Sequence, residues 1–132
     1  MAPRLFTRDE AESMLPQIAP LLWKARDLKK QHDESQAEVI ALQNQAKGNG
    51  HGIDADLARS RSNLERAAVS INEIIERITK MGIEVKDVDM GLVDFRSNIN
   101  GREAYLCWKL GEENIGWWHD LDTGYASRQP LD

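Results

Sequence analysis

The chain of 132 residues holds a single cysteine, Cys107, so no disulfide can form within it and a reducing compartment is the expectation. The opening MAPRLFTRDE has no apolar signal segment, and no run approaches transmembrane length. Membrane insertion is therefore not expected, and the cytoplasm is the expected location. Positive charge is also in deficit. Seventeen basic against 22 acidic residues leave a net charge of -5, which disfavours nonspecific attraction to nucleic acid or an anionic membrane. Paired-cysteine, H-x-x-x-H and H-E-x-x-H patterns are missing. Asn49-Gly50-His51-Gly52 is not a phosphate loop, because G-x-x-x-x-G-K-[ST] and its preceding strand are both absent. The basic stretch Arg59, Arg61 and Arg66 is broken by Glu65 and reads as a paired surface rather than a nucleic-acid footprint.

What charge there is lies unevenly. Met1 to Lys47 carries seven residues of each sign and Gly48 to Met81 five of each, whereas Gly82 to Asp132 carries five basic and ten acidic. The whole net charge therefore sits in the last part, as a solvated acidic surface or an attractor for a cation. The length suits one domain with a modest core, and an elongated shape would leave part of that core for a partner to complete.

Residues 7–81 read as a helical arm. Thr7-Arg8-Asp9-Glu10 is a capping box, with Phe6 placed to pack near Ala11 or Met14. Pro16 and Pro20 lack an N–H and predict a short helix over 8–14 followed by a long one from about Pro16, with one bent helix as the alternative. Leu21, Leu28, Ser35 and Leu42 recur every seven residues, interleaved with Ile18, Ala25, His32, Val39 and Ala46. This is a coiled-coil-like seam, in which His32 is expected to be structural. Glycines in 48–52 predict a reversal, with His51 exposed. A second seam follows in Leu57, Leu64, Ile71 and Ile78, with Ala67, Ile74 and Met81, capped by Asp54 and ended by Lys80 and Gly82. An antiparallel hairpin results, in which Leu28 meets Ile71 or Ile74 and His32 meets Ala67 or Ala68. The first arm outruns the second, so Met14, Leu15 and Ile18 should dock on the region after Gly82.

Beyond Gly82 the period changes to two. Ile83 and Val85, Leu92 to Phe95, Ala104 to Leu110 and Ile115 to His119 are strand candidates, with a turn at Asn100-Gly101 and a reversal at Gly111 to Asn114. The fold class is α+β, a long antiparallel helical hairpin with a small carboxy-terminal antiparallel sheet and tail over 82–132. In the simplest register Leu110 opposes Ile115, so Trp108 opposes Trp117, an aromatic pair worth roughly 0.2 to 1 kcal/mol. The same register puts Leu106 opposite His119. Placing Phe95 opposite Arg102 then puts Asp94 opposite Glu103, on the face of Cys107 and Trp118, with His119 on the other face. A one-residue slip reverses that separation.

His119 is the leading site candidate, since imidazole ligates metals and exchanges protons near neutral pH. Asp94, Glu112 and Asp120 supply carboxylates for a divalent metal, with Glu113 and Asp122 close in sequence. Cys107 is a candidate nucleophile but reads more readily as a packed thiol, because no base can be located for it. Trp118 points away from Trp117 and can line a ligand pocket or dimer contact, and Arg102, Lys109 and Arg128 can bind an acidic ligand or pair with the surrounding acids.

Several ordered motifs carry a resemblance. Leu5-Phe6-Thr7 with Glu10-Ala11 and Leu15-Pro16, Lys86-Asp87, Gly91-Leu92-Val93-Asp94-Phe95 and Leu106-Cys107-Trp108 come first. Leu110-Gly111-Glu112, Trp118-His119, Gly124-Tyr125 and Arg128-Gln129-Pro130 complete the set. Over nearly the full chain it resembles the bacterial domain-of-unknown-function family numbered 2203. The resemblance implies no activity and no assigned roles, but it places Asp94, Cys107, Glu112 and His119 inside the shared motifs. The leading expectation is a self-associating structural or binding protein, a homodimer through its helices. The alternative is a metal-binding protein or metal-dependent enzyme using the acidic region around His119.

Overall fold

The computed structural model describes residues 3–48 and 52–132. Asn49, Gly50 and His51, the centre of the expected reversal, lie outside the described residues.

The first helix, α1, spans Arg8–Gly48 and opens on the capping box: the Thr7 N–H donates to Glu10 Oε1 at 2.9 Å, and the Glu10 N–H donates to Thr7 Oγ1 at 3.1 Å. Phe6 anchors the approach. Its N–H donates to the Arg96 carbonyl at 2.7 Å, and its ring meets Phe95 edge-on at 5.3 Å. Contrary to the expected break, α1 runs unbroken through Pro16 and Pro20. Both prolines lie on the exposed side of the helix, while Ala11, Leu15, Ile18, Leu22 and Ala25 are buried along the other. Each interior proline costs about 3 kcal/mol. Burying Phe6, Leu15, Ile18 and Leu22 returns roughly 1.5–3 kcal/mol each, enough to hold the helix through both.

The second helix, α2, spans Asp54–Lys80 and buries Ala67, Ile71, Ile74 and Ile78 of its seam. The cap differs from expectation: Ile53 takes the cap position with no side-chain hydrogen bond, and Asp54 begins the helix. Ile53 is itself buried, and Asp54 and Asp56 sit in the first turn, where the helix dipole favours negative charge. Gly82, at φ +89°, ends the helix with its N–H on the Thr79 carbonyl at 2.9 Å. The two helices pack together as a hairpin. His32 and Ala68 line one shallow groove between them, and Leu28, Ser35 and Ala67 another. Among the described residues no helix is long and apolar enough to cross a membrane.

Five antiparallel strands follow in meander order: β1 Ile83–Asp87, β2 Leu92–Ile99, β3 Arg102–Lys109, β4 Trp117–His119 and β5 Gln129–Pro130. The register of β1 on β2 shifts between Val85 and Asp87. The two-residue β5, not anticipated from sequence, places Pro130 opposite Trp117. Between β2 and β3, Asn100 and Gly101 hold φ +54° and +89°, the twist a two-residue hairpin requires. One sheet face, carrying Ile83, Val93, Phe95, Leu106 and Trp108, joins Leu15, Ile18 and Leu22 of α1 and Ile74 and Ile78 of α2 in the main core. Met14 packs against its edge, as the unequal arms predicted.

Gly91, at φ +62°, joins β1 to β2. Its N–H reaches the Val88 carbonyl, its own carbonyl receives the Leu110 N–H, both at 3.1 Å, and an added Cβ would lie 2.4 Å from the Leu110 side chain. Gly91→Ala is expected to destabilise by roughly 1–3 kcal/mol through overpacking, with about another 1–2 kcal/mol from the left-handed backbone. Urea unfolding measures the sum, and a midpoint equal to the parent's would contradict it.

Candidate metal centre

The face of the sheet turned away from the helices carries polar residues. Pairing outward from Ile99↔Arg102 sets Asp94 opposite Cys107, and β4 then brings His119 opposite Tyr105, diagonal to Cys107. Both expected registers are thus corrected. Phe95 opposes Leu106 rather than Arg102, because β2 continues to the Asn100-Gly101 turn. Trp117 opposes Cys107 rather than Trp108, because the longer connection from Leu110 to Gly116 shifts β4 by one residue. That slip moves His119 onto the face of Asp94.

Asp94, Cys107 and His119 form a cluster able to hold a metal ion, with one ligand atom from each lying within 4.8 Å of the others. All three are out of solvent, with relative exposures of 2%, 0% and 1%. The imidazole is held at both ends. Its Nδ1 lies 2.9 Å from the backbone carbonyl of Asp120, and its Nε2 lies 3.0 Å from Asp94 Oδ2. A carbonyl only accepts, so Nδ1 carries a proton. Nε2, the nitrogen aimed at the cluster, shares one further proton with Asp94. Backbone orientation of the distal nitrogen is the arrangement that ligating histidines use.

Burial holds the Asp94 carboxyl above the usual carboxylate range, against the opposing pull of His119. Its Oδ1 is buried with no N–H or O–H partner among the described residues, and the neighbouring Cys107 thiol is only a weak donor to the carboxylate. An unsatisfied buried acceptor costs about 1–3 kcal/mol, so this atom calls for an explanation. The Cys107 thiol is pushed up to about 12, first by burial and then by the Asp94 charge. This is the reverse of an activated nucleophile.

The other candidates lie apart from this cluster. The Glu112 carboxylate makes a bidentate pair with Arg128, at 3.2 and 2.7 Å. The Asp120 carboxylate pairs with Arg102, so Asp120 reaches His119 only through its backbone carbonyl. Trp118 is half-buried opposite Leu106, with the Arg102 guanidinium 5.9 Å from its ring centroid. Glu113 and Asp122 are exposed, and His32 pairs with Asp33 at 3.1 Å. Arg128, which reaches Cys107 from the tail, and Tyr125, whose ring lies against Arg128, carry no periodic signal. Cys107 opposite Asp94 was available to sequence reasoning, by counting back from the Asn100-Gly101 turn.

A thiol in this state should resist alkylation. In the native protein at mildly alkaline pH, iodoacetamide is expected to leave Cys107 unmodified, and unfolding in urea should release it. Modification of the native protein at the rate of a free thiol, followed by mass spectrometry, would refute the burial argument.

No curated protein and no solved structure matches the chain at significance. A family model described as an uncharacterized conserved protein, DUF2203, matches residues 4–131. The chain belongs to that family.

Proposed function

We propose that this protein binds a divalent metal ion through Asp94, Cys107 and His119, and that zinc is the ion the donors suit best. The observation that carries the reading is the unpartnered Asp94 Oδ1 beside a backbone-oriented imidazole and a buried sulfur. One thiolate, one imidazole and one carboxylate form a donor set that zinc accepts, whereas calcium and magnesium take oxygen ligands. Binding releases the thiol proton and the proton shared by Asp94 and His119, so affinity falls on acidification. A bound ion supplies folding free energy by joining β2, β3 and β4. At a hundredfold excess over Kd that is about 2.7 kcal/mol, or on the order of 10 °C in Tm for a chain of this size.

Metal analysis after gentle purification is expected to find stoichiometric zinc, lost in Cys107→Ser and His119→Ala. Chelation should lower the Tm of the parent and leave the variants unchanged. Absence of stoichiometric binding after zinc is added back to the folded parent would sink the reading.

Self-association through the helices is a second reading, supported by a different observation. The main core ends at Ala25 of α1 and Ile74 of α2, and farther out Leu42, Leu57 and Leu64 are only half-buried. A second copy packed along this seam would complete a four-helix arrangement. Sedimentation at micromolar concentration is expected to give a dimer, and a monomer throughout that range rejects it.

A further inference from the structure

The carboxy-terminal segment pairs beside β4 as β5, and just before it Arg128 brings a cation to the sulfur of the cluster. Arg128 Nη1 lies 3.9 Å from Cys107 Sγ. The guanidinium is fixed from several sides: Glu112 holds it bidentately, and the Trp117 and Tyr125 ring centroids lie 4.6 and 4.5 Å from its central carbon. Glu112 is anchored in turn, because its Oε1 accepts the Lys109 N–H at 2.9 Å and its carbonyl accepts the Trp108 indole N–H at 3.0 Å. The Arg128 side chain retains only 11% exposure. An ion pair that merely pinned the tail would have no need of the sulfur. A guanidinium has five N–H donors in a rigid fork, so it can hold a carboxylate and still present a donor to a third atom, which a lysine ammonium does less well.

Resting on the metal-binding reading above, we propose that Arg128 is a positioning residue for the metal centre, donating an N–H to Cys107 Sγ when an ion is bound. A thiolate and the Asp94 carboxylate place two negative charges within 4.8 Å in a site closed to water, beside a neutral imidazole. A divalent ion cancels their sum, and a donor on the sulfur sets how strongly that sulfur gives electron density to the ion. Arg128 thereby tunes metal affinity from outside the ligand set.

Cobalt(II) is the probe, because a sulfur–cobalt bond gives a near-ultraviolet charge-transfer band whose energy reports the sulfur donor level. Arg128→Gln is expected to weaken cobalt and zinc binding 10- to 100-fold. It should also move the band to lower energy, and Arg128→Lys should recover part of both changes. Tyr125→Phe removes the hydroxyl that Lys109 reaches at 2.9 Å while leaving the ring against Arg128. Its band should stay at the parent's position even if the tail loosens. An Arg128→Gln band superimposed on the parent's overturns the proposal, as does an equal shift in Tyr125→Phe, which would assign the effect to tail packing. If Arg128→Gln does not fold, Arg128→Met, which keeps an apolar stem and has no donor, takes its place, and an Arg128→Met band at the parent's position overturns it equally. A parent with no charge-transfer band at all removes the metal reading itself, and the role of Arg128 with it.

Discussion

The pairing of β2 with β3 is the constraint on which the rest depends. Asn100 and Gly101 turn the chain in two residues with positive φ, and Ile99 opposite Arg102 then fixes each later pair. One parity sends Val93, Phe95, Leu106 and Trp108 toward the helices, and the other sends Asp94 and Cys107 away from them. The core and the polar cluster are therefore two faces of a single choice. A slip by one residue would put a carboxylate into the hydrocarbon layer and a phenylalanine onto the open face, so the core enforces the register that assembles the cluster.

The second face is unusual because a sheet with helices on one side normally leaves its other side wet. Here the short tail covers part of it. The Arg128 guanidinium lies against the Trp117 and Tyr125 rings, and its ion pair with Glu112 is tied back into β3 through the Lys109 backbone N–H. Asp94, Cys107 and His119 are out of water on this face, which lifts the carboxyl and the thiol out of their ordinary ranges. A buried, partly unsatisfied polar group is costly in an otherwise well-packed sheet. Its cost is the physical reason to read the cluster as a site rather than as packing.

The helical arm was legible in sequence wherever one local signal decided the outcome. The Thr7–Glu10 box, the Ile71–Ile74–Ile78 stripe and the Gly82 stop all read correctly because each is a short-range pattern. Pro16 and Pro20 misled because their local cost was weighed without the buried stripe on the opposite side of the helix. In the sheet, strand positions were legible but partners were not. The end of β2 and the length of the β3–β4 connection depend on contacts that periodicity does not encode. His119 and Asp94 were therefore singled out by residue type, while their convergence with Cys107 required the register, and Arg128 required the path of the tail.

The two edges of the sheet carry a further consequence. On one side β1 is irregular, with its register shift between Val85 and Asp87 and the charged pair Glu84 and Lys86 at 2.9 Å along it. On the other, β5 is two residues long and ends in Pro130, which has no N–H to offer. Neither margin presents a flat, regular ladder of donors and acceptors onto which a foreign strand could dock. The meander is in this sense a closed surface built without closing a barrel, protected from edge-to-edge growth into fibrils by a bulge at one border and an imino acid at the other.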